Sequence, residues 1–553
     1  MRRLQVGWWP LVLLAACSRE PTGPPLAFCP TSAAPTVLQP KEYTAVNPVA
    51  TDGCVVFPPN PSATDTAEYL LVPQATTETP NLSSSFKLAG SAAAAAAPGF
   101  AAALQAPLLS PAEQFHARLR ELERTRGYGA RGVSMAPSSP SPSAQAPLAT
   151  VMVGDTGHFR VLNTVTALTV DQVTAVAKVV GQHIAIFVDT GAPQPGLSSF
   201  DLDTLRAVFD SRLYAADTAA FGRESDIDGN GLVIVLLTNT VNKMVTPAQC
   251  SSTGYVAGFF FGGDIDPFYR SQFNSAEIFY AIVPDSLATL SCQHTTSSIK
   301  RLVPPTFVHE FQHMISYNQH VLVRGSQAEV LWLNEAMSHY AEELGGRTYL
   351  PGDSATFCRF AQGNLANFGN YVASPGSYAL LDTSGIGGLA ERGEWWSFVR
   401  YMADQRPDTS LAGANAFTRT IDQTGLLGAA NLAAETGTPF ATLVERWALA
   451  NWVSDALNFV APPELQYKKW AFRSAYPAMN RWCNVPGAYP ITARVSAPTG
   501  VSVSGTIRSG SGAAYQRVLQ APGGSGFRVL FSDNAGRQLP LAVAPRLNVI
   551  RIR

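Results

Sequence analysis

Residues 309–313 read His-Glu-Phe-Gln-His, an H-E-x-x-H pattern that restricts the fold more than any other feature of the chain. Two histidines at positions i and i+4 face the same side of a helix, so His309 and His313 can both reach one Zn²⁺ ion. Glu310 then points to one side of the pair, where its carboxylate can take a proton from an attacking water. The pattern therefore predicts a helix that carries two metal ligands and a general base.

The third ligand of such a site should come from a second element that packs against this helix, because catalytic zinc usually has three protein ligands. Residues 331–344 predict a helix of mostly apolar residues, and the two glycines that follow are typical of a helix end. The polar residues that share one face of this helix are Glu335, Ser338, His339 and Glu342. A polar stripe on an apolar helix needs a partner, and a metal ion would supply one.

Together the two segments resemble the gluzincin metallopeptidases, the group that contains thermolysin, in which H-E-x-x-H is followed by Asn-Glu on a later helix. Residues 309–315 and 332–342 are most similar to the hyicolysin family of bacterial neutral metallopeptidases. The close match extends over residues 306–346, and a weaker similarity extends over residues 150–460. The chain is therefore identified as a hyicolysin-like gluzincin.

This resemblance implies that His309, His313 and Glu335 bind zinc and that Glu310 is the catalytic base. It also implies an α+β fold of the zincin type, with a mixed-sheet upper subdomain, a helical lower subdomain and the catalytic cleft between them. A C-terminal β-rich accessory domain is expected in addition, because the end of the chain alternates Gly, Ser, Val and Arg without a helical pattern.

The second helix departs from the thermolysin pattern at one position. Where those sequences carry an aspartate that orients a zinc-bound histidine, this chain has His339. Either Glu342 orients the histidine instead, or His339 faces the substrate, or His339 is an ordinary hydrogen-bonded helix residue. Glu342 and Glu343 are also alternatives to Glu335 as the ligand, but the Leu-Asn-Glu context favours Glu335.

Two other classes of zinc peptidase do not fit the sequence. The metzincin pattern would place a third histidine at the position of Gln319, and His320 comes one residue late. Gluzincin aminopeptidases carry a Gly-x-Met-Glu-Asn stretch upstream, which this sequence lacks. An endopeptidase is therefore preferred.

The first residues predict export. A basic start and a short apolar stretch (residues 4–16) precede Cys17, and the segment is too short for a stable membrane span. Residues 14–17, Leu-Ala-Ala-Cys, match the bacterial lipobox, so residues 1–17 are a predicted lipoprotein signal peptide. We expect a lipid anchor at Cys17 in the outer membrane or at the cell surface. The alternative is an ordinary signal peptide and a secreted protein.

The remaining six cysteines agree with export, since an even number in an exported protein suggests disulfides. Pairing between neighbours would give Cys29–Cys54, Cys250–Cys292 and Cys358–Cys483, which is one of many possible connectivities. No C-x-x-C pair is present, so metal chemistry rests on the histidine and glutamate set.

Composition shifts divide the chain after the signal peptide. Residues 18–149 predict a tether or propeptide-like region, with a small β module and a Gly/Ser/Pro-rich linker. Within it, residues 110–126 predict a charged amphipathic helix. Residues 150–480 are the expected metallopeptidase domain, and residues 484–553 the β-sandwich-like domain.

Strand and helix patterns alternate at the start of the metallopeptidase region. The strand candidates are residues 184–188, 232–237, 255–261 and 278–283, and the helix candidates are residues 169–180 and 202–219. An edge strand of such a sheet can receive an extended substrate by backbone pairing. Residues 255–261 are the candidate for that edge, with a buried core strand as the alternative.

Residues 226–231 open like a calcium loop, because Asp226, Asp228 and Asn230 alternate oxygen ligands. The glutamate that would complete an EF-hand is Leu237 here, which excludes a true EF-hand. Either a different calcium-stabilised turn or a simple Asp/Asn/Gly turn fits the sequence.

At 553 residues with a formal net charge of −1, the chain gives no electrostatic reason to expect nucleic acid as a partner.

Together these features predict a zinc-dependent endopeptidase that acts on extracellular or envelope proteins. The sequence does not decide which of Tyr371, Tyr378 and His339 would donate the hydrogen bond that stabilises the oxyanion. The rival function is a surface lipoprotein that binds a partner through a non-catalytic zinc site, but such a protein has no need for Glu310.

Overall fold

The structure is a computed structural model that describes Leu26, Cys29 and residues 34–90, 110–127, 150–269, 272–382, 387–408 and 410–553. The predicted lipid anchor at Cys17 and the predicted linker after residue 127 lie outside the described residues. None of the helices in the described ranges is both long and apolar enough to cross a bilayer.

The strands are β1 (Tyr43–Val46), β2 (Cys54–Phe57), β3 (Ala67–Ala75), β4 (Ser83–Gly90), β5 (Thr156–Thr164), β6 (Thr169–Val180), β7 (Ile184–Asp189), β8 (Val233–Leu237), β9 (Gly258–Phe260), β10 (Ile278–Ala281), β11 (Arg494–Ser496), β12 (Ser502–Arg508), β13 (Gln516–Gln520), β14 (Phe527–Ser532) and β15 (Pro545–Arg551). The helices are α1 (Pro111–Arg126), α2 (Ser199–Val208), α3 (Tyr214–Phe221), α4 (Asn239–Asn242), α5 (Pro247–Ser252), α6 (Thr296–Tyr317), α7 (Leu331–Arg347), α8 (Ser354–Ala373), α9 (Leu389–Asp404), α10 (Leu411–Asp422), α11 (Gly428–Thr436), α12 (Phe440–Val453) and α13 (Phe472–Met479).

A six-stranded sheet in the order β5-β6-β7-β8-β10-β9 forms the first part of residues 150–480. Its centre is parallel, and β9 pairs antiparallel with β10 at one edge. The run of Val, Ile and Leu in β8 is buried throughout because the centre of the sheet is covered on both faces. The Phe307 ring of α6 packs on Phe279 of β10 with a centroid distance of 4.7 Å, so the sheet supports the predicted catalytic helix directly.

The prediction of a helix over residues 169–180 is wrong, since this segment is strand β6. Its buried side chains alternate as Val173, Ala175 and Ala177, which is the period of a strand. Valine and threonine, which are frequent here, pack well on a pleated surface, and β6 pairs with β5 on one side and β7 on the other. Pairing with the neighbouring strands therefore determined the secondary structure of a segment whose sequence resembles an amphipathic helix.

Helices α6 to α13 form the second part of residues 150–480, where α7 packs against α6, α8 and α9. The side chains of Trp395, Trp396 and Trp447 are completely buried in this part. The mixed α+β class is thus confirmed. The assignment of the sheet and the helices to the two subdomains of a zincin stays a prediction.

The β-rich segments at the two ends of the chain form one sandwich. One sheet has the order β1-β15-β3-β13-β11 and the other the order β12-β4-β14-β2, so both sheets mix strands from residues 34–90 and 494–553. Their inner faces share one hydrophobic core that includes Phe57, Leu71 and Val529. The sequence predicted two separate β modules. The structure joins them because neither segment alone provides enough strands to cover its apolar face.

The disulfides are Cys29–Cys54, Cys250–Cys292 and Cys358–Cys483, so the pairing between neighbours is confirmed. Each bond closes a loop within one region of the chain: the first lies within the sandwich, and the other two join residues between 250 and 483. Disulfides are characteristic of exported proteins, which fits an extracellular location.

Truncation of Phe527 tests the shared sandwich core. The ring is 3% exposed and stacks on Phe57 with a centroid distance of 4.3 Å. Phe527→Ala should lower the free energy of unfolding of the sandwich by about 3–5 kcal/mol, because it leaves a cavity between the sheets. Hydrogen–deuterium exchange should show that strands of both end segments lose protection together. Val495→Ala, at a position that is 52% exposed, is the control. Loss of protection in residues 494–553 alone would contradict a shared core.

Candidate active site

Helix α6 places His309, Glu310 and His313 on its inner side. Its C-terminal half is buried, with apolar side chains such as Phe311 and Met314 in the core. The cap of the helix is Thr295, whose side chain accepts a hydrogen bond from the Ser298 N–H. The H-E-x-x-H segment is thus a rigid helix inside the protein, as the sequence predicts.

Three donor atoms from α6 and α7 converge on one point. The Nε2 atoms of His309 and His313 are 3.2 Å apart, and they lie 3.6 Å and 3.7 Å from the two carboxylate oxygens of Glu335. Tetrahedral zinc with bonds of about 2.1 Å would separate its ligand atoms by about 3.4 Å. The spacing of the three donors therefore suits a zinc ion, and the structure brings together the three predicted ligands.

Glu335 carries the clearest sign that a cation belongs here. Its side chain is fully buried, and neither oxygen accepts a hydrogen bond from the part of the chain that the structure describes. Burial would raise the pKa of Glu335, but the Arg392 guanidinium, 2.9 Å from Oε2, outweighs burial and holds this pKa well below its usual range. Arg392 neutralises this carboxylate from one side, and a bound metal ion would give its oxygens the further partner that hydrogen bonds do not supply.

Glu342 orients His309 from behind. Its Oε1 atom lies 2.8 Å from His309 Nδ1, so the imidazole donates its Nδ1 proton there and leaves Nε2 free for the metal. Burial would raise the pKa of Glu342, but His339 and His309 outweigh burial and lower it to about 2. Of the alternatives for the departure from thermolysin, the geometry favours Glu342 as the orienting carboxylate. His339 packs beside it, with Nδ1 3.1 Å from the same oxygen.

A second polar chain holds His313. Ser338 Oγ accepts from His313 Nδ1 at 3.0 Å and donates to Gln312 Oε1 at 2.5 Å. The Gln312 amide in turn donates to the Asp422 carboxylate at 3.2 Å. Burial holds the pKa of His313 well below its usual range, so its imidazole is neutral, as a metal ligand must be.

Glu310 faces the edge of the sheet. The Phe260 N–H of β9 donates to Glu310 Oε2 at 2.9 Å, which fixes the carboxylate beside the three donors. Burial raises the pKa of Glu310, which makes it a stronger base than an exposed glutamate. The candidate substrate strand, predicted as residues 255–261, is shorter in the structure, but it does form the sheet edge next to this carboxylate.

Two of the alternative residues, Glu343 and Tyr371, are used elsewhere. Both oxygens of Glu343 accept hydrogen bonds from the indoles of Trp396 and Trp470, so Glu343 belongs to the helical core. Tyr371 is fully buried and stacks on Trp447 with a centroid distance of 5.8 Å. Its packing places it in the same core rather than beside the metal ligands.

Sequence reasoning missed Arg392, which reaches Glu335 from α9. Its Nη2 atom is buried and lacks a hydrogen-bond partner within the described ranges, so it is free to bind a ligand oxygen. The sequence around it reads Glu-Arg-Gly-Glu-Trp-Trp, which matches no ligand or catalytic motif. Because no motif marks Arg392 and it lies far from Glu335 along the chain, the sequence did not reveal the contact between them.

The candidate calcium loop lies away from these residues. Asp226 and Asp228 are close together, as the sequence predicts, and Glu277 joins them. Asn230 donates its amide proton to Asp228 Oδ2 at 2.7 Å and accepts from the Leu232 N–H at 2.6 Å. The asparagine therefore shapes the turn, and the carboxylate that joins the two aspartates is that of Glu277, just before β10.

No protein-family model matches the chain. The chain is similar to the neutral metalloprotease ShpI of Staphylococcus hyicus, with 28% identity over 137 residues, which are 25% of this chain and 29% of that protein. The chain thus matches less than a third of that relative's length. The similarity supports a distant relationship to metallopeptidases. The finer assignment to the hyicolysin-like gluzincins stays a prediction.

Removal of the orienting carboxylate should weaken metal binding. Glu342→Ala deprives His309 of its hydrogen-bond acceptor, so we expect zinc affinity to fall by about 10–100-fold. Competition against a chromogenic zinc chelator measures the affinity. Glu78→Ala changes an exposed glutamate of the sandwich and should leave the affinity unchanged. Equal affinities for the two variants would show that Glu342 does not support the metal site.

Proposed function

We propose that the protein is a zinc-dependent endopeptidase of the hyicolysin-like gluzincin group. The observation that carries this proposal is the convergence of His309, His313 and Glu335 at zinc-ligand spacing, with the buried carboxylate of Glu310 beside them. The similarity to a metalloprotease supports the same reaction class. When bound, zinc supplies Lewis acidity that polarises a peptide carbonyl and lowers the pKa of water.

Glu310 then carries out both proton transfers of the reaction. Glu310 takes a proton from the attacking water, and the water oxygen forms a bond to the peptide carbonyl carbon. The C–N bond breaks, and Glu310 passes the proton to the leaving amine. The Phe260 N–H keeps Glu310 in place throughout. We assign the stabilisation of the oxyanion to Arg392, whose free Nη2 donor adjoins the ligand set.

An extended peptide is the substrate that suits this arrangement. Strand β9 is an edge strand, and the backbone of Phe260 points away from β10, toward Glu310. A peptide can add to such an edge by backbone hydrogen bonds, which brings one of its carbonyls to the metal ligands. Such pairing requires little of the side chains, so it suits an endopeptidase.

The location and the domain limits are part of the proposal. We infer a protein of the bacterial cell envelope that is anchored through a lipid at Cys17 or secreted, with a peptidase domain over residues 150–480. The rival function, a surface lipoprotein with a non-catalytic zinc site, is less well supported. It gives no reason for the costly burial of Glu310 beside the ligands.

Glu310→Gln should abolish proteolysis and preserve the metal site. Glutamine keeps the shape of the side chain but cannot take a proton, so we expect the rate of casein hydrolysis to fall by about a thousandfold. Zinc content, measured by atomic emission, should stay at about one ion per chain, because the three ligands are intact.

Chelation provides the complementary test on the unsubstituted chain. Removal of zinc should stop casein hydrolysis, and added zinc should restore it. A Glu310→Gln variant with full activity would disprove the role of Glu310. Activity that survives complete removal of zinc would disprove the metallopeptidase itself.

A further inference from the structure

The loop between α3 and β8 is built around acidic side chains. Gly229 and Gly231 have φ values of +73° and +69°, which let the backbone turn tightly around Asp226 and Asp228. The Gly231 N–H donates to Asp226 Oδ1 at 3.0 Å, so the turn is closed by the first aspartate. The loop thus presents two carboxylates on one side.

Glu277 brings a third carboxylate from the neighbouring strand. It directly precedes β10, which runs parallel to β8, and one oxygen from each of Asp226, Asp228 and Glu277 lies within 4.8 Å of the others. The Glu277 side chain is 1% exposed. Its Oε1 atom accepts hydrogen bonds from Ser225 and Ile227, whereas Oε2 is buried and has no partner in the described part of the chain.

We propose that Asp226, Asp228 and Glu277 form a calcium site, in which Glu277 does the work of the glutamate that closes an EF-hand loop. Calcium prefers carboxylate oxygens and accepts irregular geometry, which a loop and a strand can provide together. Burial raises the pKa of Glu277 to about 7 and that of Asp228 to about 6, so these carboxylates are costly to ionise without a cation.

The position of this site links calcium to the catalytic helix. The side-chain amides of Asn318 and Gln319, which continue α6, both donate to the Arg223 carbonyl just before the loop. A cation that orders residues 226–232 would therefore also secure the end of the helix that carries His313. We expect calcium to stabilise the peptidase region without taking part in the chemical reaction.

Calcium binding can be measured in a full-length Glu310→Gln background, which prevents self-digestion. Added Ca²⁺ should raise the melting temperature of this protein and of a further Asp203→Asn variant, because Asp203 is an exposed acid outside the loop. Glu277→Gln and Asp226→Asn should each weaken calcium affinity, measured by calorimetry, by about tenfold or more.

Two results would overturn the calcium site. One is a melting temperature of the parent protein that does not rise when Ca²⁺ is added. The other is a rise in melting temperature that is as large in both loop variants as in the parent protein. If Glu277→Gln fails to fold, Asp226→Asn decides, since its side chain is exposed and its loss leaves no buried group unpaired.

A different observation carries a second inference, which concerns α1. This helix runs from the helical part of the structure to the edge of the sheet. At its start, Glu113 Oε1 accepts from the Leu389 N–H of α9 at 2.9 Å. Further along, the Phe115 ring packs on Phe259 of β9 with a centroid distance of 5.1 Å. The helix therefore bridges the two walls between which a substrate has to lie.

Two charged side chains of α1 occupy the free edge of the sheet. Arg120 donates to the Phe260 carbonyl at 2.5 Å, and Glu123 accepts from the Gly262 N–H at 2.6 Å. The two side chains also form an ion pair of 2.8 Å, and each is only 3% exposed. These are the backbone groups that a peptide substrate needs, so α1 and substrate exclude each other at this edge.

Helix α1 also contacts α7, the helix that carries Glu335. On α1, the Nδ1 atom of His116 is buried and has no hydrogen-bond partner among the described residues. The helix therefore lies against both the sheet edge and one of the two helices that supply the metal ligands.

We infer that residues 110–127 are an intramolecular inhibitor of the peptidase, an inference that rests on the proposed function. The helix is held by side-chain contacts to the edge strand, and the chain on either side of it is rich in Ala, Ser and Pro, a composition typical of linkers. Cleavage in these linkers would free the helix to leave. The cleft then becomes available to other peptides.

The helix offers a matched pair of double variants. Arg120→Ala with Glu123→Ala removes the buried pair that grips β9, and we expect peptide hydrolysis by the full chain to rise by about tenfold or more. Glu121→Ala with Arg124→Ala removes an exposed pair with the same i,i+3 spacing and should leave the rate unchanged. A rate for the first variant at or below that of the parent, in folded protein, would overturn the inference.

A binding assay separates this inference from the proposed function. In a Glu310→Gln background, a fluorescent peptide hydroxamate should bind the Arg120→Ala, Glu123→Ala protein at least about tenfold more tightly than the parent. Equal affinities would refute inhibition by α1. A synthetic peptide of residues 110–127 should also compete with the hydroxamate. Failure of every variant to hydrolyse peptides, with tighter hydroxamate binding retained, would refute the proposed function alone.

Discussion

The packing of α7 against α6 is the contact on which the candidate site depends. It faces Glu335 toward His309 and His313, and it also supplies Glu342 and Ser338 behind the two imidazoles. One helix thus provides a ligand and both orienting groups, so a shift of α7 would disturb all of them together. The surrounding core of aromatic side chains resists such a shift, because close-packed interiors deform little. The rigidity that zinc ligands require comes from this packing.

The same core explains why charge is concentrated beside the ligands. Glu335, Arg392 and Glu310 are all buried, and buried charges are stable only when others neutralise them. Burial would lower the pKa of His309, but Glu335 and Glu342 outweigh burial and raise it to about 10, so these two carboxylates favour a positive charge beside this imidazole. A divalent cation would satisfy that demand better than a proton. The electrostatics and the ligand geometry therefore point to the same occupant.

The sequence predicted the parts of the molecule that depend on local pattern. The H-E-x-x-H helix, the Glu335 helix and most central strands follow from short-range periodicity, which survives in any context. The strand at residues 169–180 does not follow from short-range periodicity, because pairing with the neighbouring strands decided between helix and strand there. Arg392, Glu277 and the shared sandwich depend on contacts between distant parts of the chain. Such contacts leave no periodic signal, so only the folded structure could reveal them.

The sandwich also limits how the N-terminal region can act as a propeptide. Removal of all of residues 18–149 would take β1 to β4 out of both sheets and expose the core that they share with β12 to β15. Cleavage confined to the linkers around α1 has no such cost, because β3 and β4 stay paired with β15 and β12. Cys29–Cys54 lies within the same segment and does not tie it to the peptidase. Strand pairing alone would hold the N-terminal strands after cleavage, so an inhibitory α1 and a permanent sandwich are compatible.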